Sequence, residues 1–151
     1  MVDPLSEAYI RSSEKAFLKH VPDLRTYENA SIEELPFLEI TSASESRYIV
    51  WKTPKHEITG MDAFQLGNEY AAHLAQFLKD NSHDIRTSMF LLREIMKSGA
   101  GQNGPCFEGF CQYLQETITE RVKSIDLHKN TAYRHENFLK QRKAFARASR
   151  K

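Results

Sequence analysis

Phe64, Gly67, Tyr70, Ala71, Leu74, Phe77 and Leu78 fall on a single stripe when residues are spaced three and four apart, with polar side chains filling the gaps. A strand throws alternate residues to opposite faces, so this spacing fits a helix, predicted over 61–79. Its apolar stripe has to be covered by something else in the chain. Gly67 lies on the stripe, where a missing side chain predicts close backbone packing. Thr59-Gly60-Met61-Asp62 precedes it with the spacing of a helix-start box, Asp standing where Glu is usual. Two further stripes follow. One, over 84–98, carries Ile85, Met89, Leu92 and Met96. The other, over 105–125, carries Phe107, Phe110, Cys111, Leu114, Ile118 and Ile125, with Pro105 in the first turn, where helices tolerate proline. Leu74 and Leu114 centre their stripes and are expected to be buried.

Upstream, Asp3-Pro4 supplies a cap and a first-turn proline for a helix over Pro4–His20. Residues 23–36 read as a loop with one short turn at Ser31–Leu35. Phe37–Thr41 and Arg47–Lys52 are rich in β-branched and aromatic residues and form the one hairpin signal, turning at Ala43-Ser44-Glu45-Ser46. A lone hairpin is marginal in water, so it must pack on helices or gain a third strand, for which Lys55–Thr59 is the candidate. Trp51 and Tyr48 are expected to cover one side of the helical core. The fold class is therefore α-dominant (α+β), a compact helical domain of four to five helices with a small hairpin after the first. The 151 residues suffice for one domain, and a 40% hydrophobic, 27% charged composition excludes a disordered chain. No apolar run approaches the roughly 20 residues that span a bilayer. The start Met1-Val2-Asp3-Pro4 lacks the features of a secretory signal, so the expectation is a cytoplasmic protein with no membrane association.

Gly99, Gly101 and Gly104 spell G-x-G-x-x-G. A dinucleotide turn needs a strand before it and helix amides after it. Here a helical pattern precedes, and Pro105 removes one amide. No Lys-Ser or Lys-Thr pair follows, which excludes a P-loop. The segment reads instead as a linker, with Gly99 the left-handed residue just past a helix end and Gln102-Asn103-Gly104 the turn before the next helix. No cofactor is expected. Cys106 and Cys111 sit about 140° apart on a helix, a poor disulfide or metal pair. Cys111 is assigned to the core, and Cys106, near a helix N-terminus, is the candidate for a depressed pKa beside the simpler reading of a structural thiol. The six histidines form no H-E-x-x-H pattern. They read as solvated surface residues, with His73 pairing locally with Glu69 four residues earlier. No metal site is expected.

The charge is unevenly distributed. Residues 121–151 hold ten Lys/Arg against Asp126 and Glu136, a net of +8, while residues 1–120 hold eleven against eighteen acids, a net of −7. The chain thus divides into an acidic body, 1–126, with its hairpin at about 37–52, and a basic C-terminal helix or arm, 127–151. Arg134, Lys140, Arg142, Lys143, Phe145, Arg147, Arg150 and Lys151 are the candidate binding residues. Cations can neutralise phosphates, and aromatics can pack or stack. The leading expectation is a small non-enzymatic binding or regulatory protein whose arm contacts nucleic acid or an acidic protein. The alternatives are an adaptor or inhibitor working through the acidic body and hairpin edge, and a small enzyme using a Cys or His. Two readings compete with a partner for the arm: it folds on the acidic body of its own chain or of its mate in a homodimer, or it is a solvated, frayed end.

Overall fold

The computed structural model describes residues 17, 19–43, 46–54, 58–83, 85–100 and 104–150, without the side chains of 41–48 and 85–90. Phe17, Lys19 and His20 are helical, and the rest of the helix expected over Pro4–His20 lies outside the described residues. The chain divides by its contacts into two units, Met1–Leu114 and Gln115–Lys151.

In the first unit a loop runs from Val21 to a short 3-10 helix at Ile32–Glu34. Its start is held by reciprocal hydrogen bonds. The Ser31 hydroxyl accepts from the Glu33 amide at 3.4 Å, and Glu34 Oε2 accepts from the Ser31 amide at 2.6 Å. Strands β1, Leu38–Ala43, and β2, Ser46–Trp51, pair antiparallel from Leu38↔Trp51 to Ala43↔Ser46. Among the described residues the sheet has these two strands. Ile58 and Thr59 are not in a strand, and the remainder of the third strand expected at Lys55–Thr59 lies outside the described residues. The second strand of the hairpin packs on the helix Ile85–Ala100.

Helices α1, Gly60–Asp80, and α2, Ile85–Ala100, follow in this unit, and α3, Gly104–Val122, begins there. Trp51 is buried, and its indole Nε1 donates to the Ile95 carbonyl of α2 at 2.9 Å. Phe37, Trp51, Tyr70, Phe107 and Phe110 form an aromatic cluster, with ring centroids between 4.9 Å (Trp51–Phe110) and 5.8 Å (Trp51–Phe107). The Tyr48 side chain, expected beside Trp51, lies outside the described residues. Gly67 of α1 faces α3 so closely that a Cβ would run into the Cys106 carbonyl, and a Cβ on Gly109 of α3 would run into the Phe64 carbonyl. The two helices thus cross on a reciprocal pair of glycines.

Several expectations are corrected. Among the described side chains of α2, Leu91, Ile95 and Gly99 are buried, Met96 packs partly covered against the core as its stripe predicts, and Leu92 is 41% exposed. Trp51 docks beside Ile95 and turns Leu91 rather than Leu92 to the core, while the Ile85 and Met89 side chains lie outside the described residues. Gly99 is helical and buried rather than a left-handed stop. Its Cβ would lie 2.6 Å from the Phe107 ring and 2.8 Å from Trp51. The left-handed glycines among the described residues are Gly60, φ 60°, and Gly104, φ 38°. Thr59 is the residue before α1, as the box predicts, but its side chain makes no capping bond. A left-handed residue immediately after it takes the chain out of capping geometry. Leu74 is fully buried, whereas Leu114 is only partly covered and Ile118 is 61% exposed. Cys106, not Cys111, is the buried thiol.

Candidate functional site

The basic C-terminal segment folds as α4, Leu127–Ala148, a helix of 22 residues. The Asp126 carboxylate starts it by accepting from the Lys129 amide at 3.1 Å. Good helix formers (Lys, Gln, Arg, Leu and Ala) fill most of its length. Glu136 and Lys140 add an i,i+4 ion pair at 3.0 Å, both groups well exposed. At the far end the Ser149 hydroxyl and amide both donate to the Phe145 carbonyl.

No residue of α4 is buried. It carries six Lys/Arg against the single acid Glu136. Among the described residues, Lys140 is the one α4 cation with an ion-pair partner. At 100° per residue the candidate residues separate into two groups. Lys140, Lys143 and Arg147 share one face with Lys129. Arg134 and Arg142 lie on roughly the opposite face, on either side of Phe138 and Phe145, which are 58% and 76% exposed. Arg150 sits in the turn after the helix, and Lys151 lies outside the described residues. Phe138 was not among the expected binding residues, although its spacing of seven from Phe145 puts both on one line. In the same unit Ile125, Asp126, Lys129, Asn130 and Tyr133 line a hollow of about 350 Å³.

A second polar arrangement, which sequence reasoning missed, lies in the first unit. His73 is buried, and both of its ring nitrogens are engaged. Nε2 is 3.0 Å from the Pro22 carbonyl, which can only accept, so Nε2 carries the proton. Nδ1 then accepts from the Tyr27 hydroxyl at 2.7 Å. Tyr27 is held at its backbone too. Its amide donates to Asp80 Oδ2 at 2.7 Å, and its carbonyl accepts from Asn81 Nδ2 at 2.8 Å. The Tyr27 amide, followed by Gln76, holds the Asp80 carboxyl below its ordinary range. Burial raises the Tyr27 hydroxyl pKa, opposed by Arg25, whose guanidinium lies 4.9 Å from the ring centroid. His73 is therefore a core histidine and makes no pair with Glu69. The available signal was its position three residues from Tyr70 and four from Phe77 on the apolar stripe.

Cys106 does not have the character of an activated nucleophile, because burial pushes its thiol up to about 11. Among the described residues no group of three or more His, Cys, Asp or Glu is placed to hold a metal ion, and no helix is long and apolar enough to cross a membrane. Comparison with known protein families, with curated proteins and with solved structures finds no match to this chain.

Proposed function

We propose that this protein binds nucleic acid through the cations of α4. The observation that carries the reading is a 22-residue helix without a buried residue, whose five cations other than Lys140 have no ion-pair partner among the described residues. Phosphate backbones supply the complementary charge at high density, and their condensed counterions are released on contact. The test is a charge-removal variant, K140Q/R142Q/K143Q/R147Q, titrated against a labelled duplex and a labelled single strand. Nucleic-acid binding predicts loss of affinity for both, with thermal stability unchanged because these side chains are exposed. An acidic protein partner is the second reading. It is favoured by Phe138 and Phe145, whose exposed rings phosphate contacts do not use. Wild-type protein that binds neither probe would overturn the first reading.

A further inference from the structure

We infer that α4 enters the major groove of duplex DNA and reads base edges with Asn130, Asn137 and Gln141. The inference rests on the nucleic-acid reading above and specifies the class of partner. At 100° per residue these three amides span about 40° of the helix surface, between the two cationic faces. Ala144 and Ala148 lie beyond Gln141 toward the end of the helix, within about 20° of that sector, so the surface there is low. Asn137 is half-buried and the other amides are exposed. Lys129, Lys140 and Arg147 form the rim on one side of the sector; Arg134 borders it on the other, with Arg142 beyond the exposed rings of Phe145 and Phe138.

A helix lying in a major groove needs this cross-section. The groove is about 12 Å wide, admits one helix, and is walled by phosphates on both sides. Cations on a single face would suit docking against one backbone, but two rims with amides between them suit a groove. Asn and Gln can donate and accept at once, matching the N6 donor and N7 acceptor that adenine presents there. At 1.5 Å per residue, 22 residues extend about 33 Å, close to one turn of duplex. An A-form RNA duplex has a major groove too deep and narrow for side chains to read, which selects DNA.

The experiment uses the full chain and selects binding sites from a library of random duplexes. The selected duplex is then compared with a scrambled duplex and with the single strand. The expected result is a preference of about tenfold or more for the selected duplex, as one good bidentate contact supplies. That preference should fall below about twofold in N130A/N137A/Q141A, with salt dependence unchanged. Replacing adenine by 7-deazaadenine in the selected duplex removes a major-groove acceptor and should erase the same preference. Helical content by circular dichroism confirms that the variant keeps α4. Binding that ignores duplex sequence, favours the single strand or survives both changes overturns the groove-reading inference and leaves nucleic-acid binding standing. Absence of binding to every nucleic acid overturns both.

Discussion

Tyr27 and His73 stand 46 residues apart in sequence and meet through a 2.7 Å hydrogen bond from the tyrosine hydroxyl to Nδ1 inside the core. The bond ties the irregular segment before the hairpin to the middle of α1. Tyr27→Phe keeps the ring and its edge contact with Phe77, but leaves a buried acceptor without a donor. The expected loss is about 1–3 kcal/mol in urea unfolding. A change under about 0.5 kcal/mol would show that the hydroxyl bond contributes nothing.

The glycine crossing gives a second expectation. A methyl on Gly67 or Gly109 meets the backbone of the facing helix, which cannot move aside as a side chain tip can. Each Gly→Ala substitution should therefore destabilise by about 1–3 kcal/mol or more, despite alanine's better helix propensity. The double variant should cost less than the sum, because both methyls push the same two helices apart. Thermal denaturation of the single and double variants checks this.

Thiol accessibility separates the two cysteines. Cys106 is buried with its thiol near 11, while Cys111 is partly exposed, with burial raising its thiol as well. At pH 8 the thiolate fraction of Cys106 is about one in a thousand. Native protein should consume one equivalent of a thiol reagent readily and the second only on unfolding. Rapid modification of Cys106 in the native protein would overturn its placement.

Acid should loosen the segment around Tyr27. The carboxyls of Asp80 and Glu34 are both held below their ordinary range. Asp80 is lowered first by the Tyr27 amide, and Glu34 first by the Ser31 amide and then by Arg25. Folding lowers both pKa values, so the stability they contribute is present above the unfolded carboxylate range. It is lost as pH falls through the folded values, in the window below about pH 4. Stability of the wild type should therefore decline there, and Asp80→Asn should flatten part of that decline. An unchanged acid limb in the variant would remove Asp80 from the account.

Much of the architecture is legible in the sequence because periodicity and turn chemistry are local. The stripe from Phe64 to Leu78 marks α1 to within a residue or two, and the hairpin follows from its β-branched residues and turn. What is not legible depends on partners distant in the chain. Leu91-Leu92 offers two adjacent faces to α2, and periodicity cannot say which one Trp51 will cover. Gly99 lies near the end of α2 and reads as a stop, but the rings of Phe107 and Trp51 fill the space beside it. His73 reads as a surface residue until Pro22 and Tyr27 arrive to satisfy it. The candidate cations of α4 are legible as a charge run. Their separation onto two faces follows once the segment is known to be one uninterrupted helix.

Contact between α4 and phosphate shows most directly in the salt dependence of binding. Affinity for a duplex, measured between about 50 and 200 mM salt, should fall linearly on a double-logarithmic plot with a slope of about −0.9 per phosphate contacted. Engagement of four or five of Lys140, Arg142, Lys143, Arg147, Arg150 and Lys151 predicts a slope near −4. Removal of residues 140–151 should abolish that binding and leave the melting temperature unchanged. A slope near zero, or full binding by the shortened chain, would contradict that contact.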